Sequence, residues 1–168
     1  MTSTNFVTDR SARREPSVAD ETDPQGVAPY GASEDKWIEW TEQLGVSRAI
    51  GLRCAAIGHG RATLVLDDCS WPLNANGAVH GGMVIAAADH CFGIVATTVL
   101  DEDHIPATAS LTSDFLRPAL PPLTFEASVD RVGRTMAFLT VTVLNRTGKV
   151  STKVNGTMVI DGSSRFAR

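Results

Sequence analysis

The sequence predicts an α+β domain in which a curved antiparallel sheet of about six strands wraps around one long central helix. Three observations predict it. The stretch from Gly81 to Leu100 is almost wholly apolar, and a helix that is apolar on every side is a buried one. Two β-rich runs precede it and four follow, each bounded by turn residues. A single helix cannot cover both faces of a six-stranded antiparallel sheet, so the sheet is expected to curl around it.

The chain has 168 residues, a length that suits one domain, and its 43% hydrophobic and 20% charged content is that of a globular protein. The formal net charge of −4 gives no strongly basic surface, so nucleic acid is not an expected partner. Three cysteines, Cys54, Cys69 and Cys91, have no C-x-x-C spacing. Neither a disulfide framework nor a zinc knuckle is written in them, and a reducing cytoplasm is the expected setting. Residues 1–32 lack an apolar signal core and mix Arg10, Arg13 and Arg14 with Asp9, Glu15, Asp20, Glu21 and Asp23. They are read as a disordered leader. The folded unit is then expected over 33–162, with 163–168 as a tail.

Ser33, followed by Glu34 and Asp35, reads as a helix start: a capping hydroxyl, then acids at the positive end of the dipole. Trp37, Trp40 and Leu44 follow at helical spacing and carry the helix to Gly45. Arg48 to Ile57 and Arg61 to Asp67 read as strands, with Gly58-His59-Gly60 as the turn between them. Residues 68–79 are polar and broken by Pro72 and Gly77, hence a loop. The long helix follows over Gly81–Leu100. A transmembrane span is the rival for this stretch, but Asp89 and His90 near its middle are costly in lipid. The remaining strands are expected over Ala107–Leu116, Leu123–Val132, Thr135–Leu144 and Val150–Ile160. Pro118, Pro121, Pro122, Gly133 and Gly148 punctuate them.

Chemistry concentrates around the start of the long helix. Gly81 and Gly82 open it, so their backbone N–H groups are unpaired and lack side-chain cover. Such groups can approach a carbonyl oxygen and stabilise developing negative charge. Asn74 and His80 add polar groups beside that terminus. Asp89 places a carboxylate on an otherwise apolar helix, where an unpaired charge is expensive and should have a partner or a task. Taken singly, each has a structural explanation: Asp89 as a buried acceptor, His80 as a cap, Gly81-Gly82 as a close-packing pair. Their convergence within sixteen residues favours a site. His90 lies about 100° round the helix from Asp89 and is expected to face another surface.

The pattern Asn74-x5-His80-Gly81-Gly82-x6-Asp89, followed by Asp114-Phe115-Leu116-Arg117-Pro118, resembles the hot-dog-fold acyl-CoA thioesterases of the phenylacetate-pathway (PaaI-like) type. The resemblance covers about residues 45–161. It implies that Asp89 attacks the thioester carbonyl or activates water for that attack. It also implies that the Gly81 amide polarises the carbonyl and that Asn74 and His80 position it. Some relatives carry a hydroxyl early in the strand after the helix that holds the water; counting back from Pro118 places Thr108 there. A related branch has Glu on the helix where this chain has Asp89.

Coenzyme A carries phosphates, so basic residues are expected near the cleft mouth. Arg117, Arg131 and Arg134 are the candidates, with Arg117 and Arg134 favoured and the Gly82 amide beside them. No metal or other cofactor is expected: His59, His80, His90 and His104 lack paired zinc spacings, and no nucleophile elbow, G-x-G-x-x-G or P-loop is present. Gly81 and Asp89 are eight residues apart on one helix, or ~12 Å at ~1.5 Å per residue. If both serve one carbonyl, they must come from different subunits. The expected assembly is therefore a homodimer with shared active sites, and the resemblance adds a dimer of dimers. Two alternatives stay open: a non-catalytic acyl-CoA-binding module, and a hot-dog hydratase or dehydratase acting on the β-carbon.

Overall fold

The computed structural model describes residues 27–67 and 70–161. In chain order the elements are α1 (Glu34–Gln43), α2 (Gly45–Ile50), β1 (Arg53–Gly58), β2 (Arg61–Leu66), α3 (Gly81–Thr97), β3 (Ile105–Phe115), β4 (Leu123–Val132), β5 (Met136–Leu144) and β6 (Val150–Asp161). The six strands form one sheet in the order β1-β2-β4-β5-β6-β3, every pair antiparallel. Strands β2 and β3 are consecutive in the chain but lie near opposite edges. The chain must therefore cross the sheet between them, and α3 is that crossing.

The core is the seam between α3 and the concave face. Val84, Ala87, Ala88, Cys91, Phe92 and Val95 of α3 are fully buried, as are Leu64, Leu66, Phe125, Val141, Val143 and Val154 on the strands. On β2, β4 and β5, buried residues alternate with more exposed ones, the period of a strand with one face inward. Register shifts interrupt β1, β3 and β4 at Cys54/Ala56, Thr108/Ser110 and Val129/Arg131, and such bulges bend a sheet. Small residues let helix and sheet approach closely: a Cβ at Gly156 of β6 would sit 2.5 Å from the ring of Phe92.

Strand β3 departs from the alternation. None of its eleven residues is buried, and it forms one edge of the sheet, pairing with β6 alone. A long edge strand with free backbone groups is a template for pairing with another chain.

Three expectations are corrected. The residues from Arg48 to Ile50, expected to open a strand, belong to α2. That helix ends at Gly51, whose left-handed conformation (φ 72°) reverses the chain into β1. Six residues are too few to show a helical period, and α2 is held by tertiary contacts instead: Trp71 donates from Nε1 to the Ile50 carbonyl (2.9 Å). The long helix also ends at Thr97 rather than Leu100. There the hydroxyls of Thr97 and Thr98 turn back to the carbonyls of Gly93 and Val95 (2.8 and 2.7 Å). Ser33 stands at the N-cap of α1, but its hydroxyl makes no capping bond. Glu34 instead accepts from the Ile57 N–H (3.2 Å), tying α1 to β1. Just ahead of Ser33, Tyr30 packs edge-on against Trp37. Residues 1–26 of the expected leader and the tail at 163–168 lie outside the described residues.

The Gly156–Phe92 contact yields a test. In Gly156→Ala the methyl meets a buried ring, and overpacking of this kind costs about 1–3 kcal/mol. Urea unfolding should show the loss, and Phe92→Leu in the same chain should recover part of it. Unchanged stability in Gly156→Ala would show that the helix–sheet spacing is not set here.

Candidate active site

The loop before α3 is built by its own backbone polar groups. Asn74 Oδ1 accepts from the N–H groups of Asn76 and Ala78 (2.9 and 3.2 Å). Leu73 and Val79 form an isolated bridge, and His80 donates its N–H to the Pro72 carbonyl (2.9 Å). The Asn74 carbonyl oxygen is thus committed to shaping the loop rather than to a ligand. His80 caps α3: its Nδ1 accepts from the Gly82 N–H (3.1 Å). This tautomer carries its proton on Nε2. The Gly82 amide, expected to face coenzyme A, is therefore engaged by His80. Gly81 is left as the open donor, since its N–H has no acceptor among the described residues.

Gly81, Asn74 and Arg117 line one cavity of about 480 Å³, together with Phe115 of β3. Arg117 is held there by a bond from Nη1 to the Val150 carbonyl (2.9 Å). The cavity combines an open amide, the positive end of a 17-residue helix and a guanidinium, an arrangement suited to an oxyanion or a phosphate.

Asp89 lies elsewhere. It is half-buried midway along α3, and Thr108 of β3 donates from its hydroxyl to Asp89 Oδ1 (2.7 Å). Both residues line a second cavity of about 410 Å³. His90 also lines it, so the expectation that His90 faces another surface is corrected. The cavity is wide enough to span neighbouring helix positions, while the His90 ring reaches Ser47 of α2, with Nε2 and Oγ 2.8 Å apart. Ser47 was not singled out in the sequence; nothing in its local context marks a buried serine as a partner for His90. Burial pushes the His90 pKa down, outweighing the opposing effect of the Asp89 charge.

Arg134 is not near Arg117. It lines a small cavity of about 160 Å³ with Val99, Leu100 and His104, beyond the C-terminal end of α3. Within one chain the two favoured arginines thus sit at opposite ends of the helix. The described cysteines are poor nucleophiles: burial pushes the Cys54 thiol up to about 11, and Cys91 is fully buried and raised as well. Among the described residues no cluster of His, Cys, Asp or Glu could hold a metal ion.

Residues 76–152 match the family model of the thioesterase superfamily. A protein of Saccharolobus solfataricus bearing the name "putative esterase" is 34% identical over 117 residues, which span 68% of this chain and 82% of that one. The chain belongs to the thioesterase superfamily. Its hot-dog fold is shared with solved members. The PaaI protein of the Escherichia coli phenylacetic acid degradation operon superposes with a TM-score of 0.63 at 22% identity, over 70% of this chain and 85% of that one. A Streptococcus pneumoniae thioesterase protein solved with coenzyme A gives 0.60 at 23% identity, over 66% and 86%. The superfamily match contains α3 with Gly81 and Asp89, but α1, α2, β1 and β2 precede it. Among the described residues no helix is long and apolar enough to cross a membrane.

The His90–Ser47 contact predicts a pH dependence. Folding holds His90 neutral by lowering its pKa, whereas the unfolded residue titrates near ~6.5. Its contribution is fully present above that unfolded value and is lost as pH falls through it towards the lower folded value. The melting temperature should fall between pH 7.5 and 5.5, and fall less in His90→Gln. Identical slopes would show that His90 does not titrate against folding.

Proposed function

We propose that this chain hydrolyses acyl-CoA thioesters at a site shared by two copies of itself. One observation carries the reading. The open Gly81 amide and the Thr108-held Asp89 carboxylate are on one helix, yet they line separate cavities and stand ~12 Å apart along its axis. A reacting carbonyl must have its carbon within ~3.5 Å of the attacking atom and its oxygen at hydrogen-bond distance from the donor. One chain cannot do both with a side chain as short as aspartate. Two α3 helices running antiparallel about a two-fold axis would set Gly81 of one beside Asp89 of the other. Pairing of the free β3 edges is the route to that arrangement.

In the shared site the Gly81 amide and the positive end of α3 stabilise the oxyanion formed when the thioester carbonyl is attacked. Asp89 forms the new C–O bond itself, giving an acyl anhydride that water then hydrolyses to the free acid and the carboxylate, or it takes a proton from the water that attacks. The C–S bond breaks and coenzyme A leaves as thiolate, to be protonated by solvent. The thiolate is a good leaving group and needs no metal to assist it. Thr108 occupies one carboxylate oxygen and so fixes which lone pairs face the carbonyl. His80 positions the donor by engaging the neighbouring Gly82 amide, and Asn74 positions it by closing the loop. Arg117 beside Gly81 suits a phosphate of coenzyme A, and Arg134 suits a more distant one.

Asp89→Asn is nearly the same size but is a poor base and nucleophile. Thiol release from acyl-CoA should fall at least ~10²-fold in kcat, while acyl-CoA binding survives. Full activity in this variant would remove Asp89 from the mechanism. Binding of acyl-CoA by the wild type with no thiol release would favour a binding module instead. Hydration at the β-carbon with the thioester intact would favour a hydratase.

A further inference from the structure

We infer that the cavity between α1, the β1–β2 turn and the C-terminal end of α3 binds a small organic cation, an alkylguanidinium or alkylammonium group, at a site separate from the thioester chemistry. The cavity holds about 420 Å³, and Tyr30, Glu34, Trp37, Ile57, His59 and Thr98 line it. None of its lining residues lines either cavity of the proposed active site. Thr98 is nine residues beyond Asp89, or ~13.5 Å further along the direction of α3. The inference does not depend on the hydrolase reading.

Two aromatic rings form its corner. Tyr30 and Trp37 meet edge to face, with ring planes at 90° and centroids 5.9 Å apart. The face of an aromatic ring attracts a cation, and perpendicular rings offer two sides of a cage. Trp37 is held by a second edge-on contact, with Trp40 at 5.5 Å, so the corner is formed without a ligand. The charges around it are negative. One oxygen of Glu34 accepts from the Ile57 N–H (3.2 Å), which fixes the carboxylate at the cavity. Thr98 is the C-cap of α3, so the negative end of a 17-residue helix faces the cavity, and no basic residue stands in its last turn. Glu34 and Asp35 offset the positive end of the shorter α1. Burial, and then the charges of Asp101 and Glu102, push the Tyr30 pKa up, so both acids act on the same corner. Asp101 contacts His104, whereas Glu34 and Glu102 have no basic partner among the described residues. No lysine or arginine lines the cavity.

Hydrogen bonding narrows the class. His59 Nδ1 lies 3.1 Å from the Thr98 carbonyl. A carbonyl only accepts, so Nδ1 carries the proton and Nε2 of the neutral ring is an acceptor. With Glu34, the cavity therefore offers two acceptors for N–H groups beside two ring faces. A quaternary ammonium has no N–H to give them. A guanidinium is planar and weakly hydrated, and it can stack on a ring while bonding a carboxylate. An anion would meet Glu34 and the helix end with no cation to offset the repulsion.

The experiment titrates the full chain with n-propylguanidinium and follows the indole N–H signals of Trp37, Trp40 and Trp71 by NMR, with Trp37→Phe identifying the first. The Trp37 signal should shift saturably in the millimolar range, and the Trp71 signal should not. n-Propylurea has the same shape without the charge and should bind at least ~10-fold more weakly. Tetramethylammonium should also bind more weakly than propylguanidinium. Glu34→Gln removes the charge but keeps an oxygen for the Ile57 N–H; it should weaken the cation at least ~3-fold, as loss of a partly exposed ion pair does. Tyr30→Phe keeps the ring and should stay within ~2-fold, while Tyr30→Leu should lose ~5-fold. Nα-acetylarginine amide carries the same group on a peptide unit. Tighter binding than propylguanidinium would assign the natural occupant to an arginine side chain, and weaker binding to a free cation; both uphold the class. Equal affinity for propylurea, a preference for tetramethylammonium, an affinity for propylguanidinium unchanged in Glu34→Gln, or no saturable shift at Trp37 would overturn the inference. Glu34→Gln leaves the packing in place, so it decides even if Tyr30→Leu fails to fold.

Discussion

A backbone amide is open to a substrate only in the first turn of a helix, because every later N–H is spent on the carbonyl four residues before it. The rest of the site depends on that constraint. The open donor at Gly81 is confined to the start of α3, and His80 consumes the next amide. A carboxylate that works with this donor cannot stand beside it on the same short stretch without occupying the helix terminus itself. The proposed carboxylate, Asp89, stands two turns further on and is bonded to a neighbouring strand. In the proposed mechanism, separation of the two halves along one rigid helix is what calls for a second copy.

The fold supplies the rigidity this needs. α3 crosses the concave face between β2 and β3 and is buried along most of its length. Its position is fixed by close packing such as Phe92 over Gly156, not by surface ion pairs. The ion pairs of Lys36 with Glu39 and Arg53 with Asp67 lie exposed on the periphery, where such pairs contribute little. Polar bonds tie neighbouring elements to α3: Thr108 on β3 to Asp89, Ser47 on α2 to His90, and Gly60 in the β1–β2 turn to the Thr98 hydroxyl at its end.

Much of this was legible in the sequence because it is written in local patterns. A stretch as apolar as Gly81–Ile94 has few other places to go, and β4 begins and ends where its composition does. Asp89 stood out because a carboxylate is costly on that helix. Thr108 was reached only by resemblance, since the loop after α3 hides the register that brings it to Asp89. What stayed hidden depends on distant partners. The helix α2 is too short for a period of its own, and its serine gains meaning only against His90. The division of labour between Gly81 and Gly82 turns on a side-chain rotation of His80. The separation of Arg117 from Arg134 is a matter of topology, invisible in their spacing along the chain.

The central claim is that Gly81 and Asp89 act together across two chains. Subunit complementation tests it most directly. Asp89→Ala chains and Asn74→Ala chains are mixed in equal amounts and allowed to exchange by mild unfolding and refolding. With random pairing, each mixed dimer would hold one doubly damaged site and one intact site, so about a quarter of all sites should be restored. Activity should climb from near zero towards that fraction of wild type. If exchange is confirmed by native mass and activity does not rise, both residues act within one chain and the shared site is wrong.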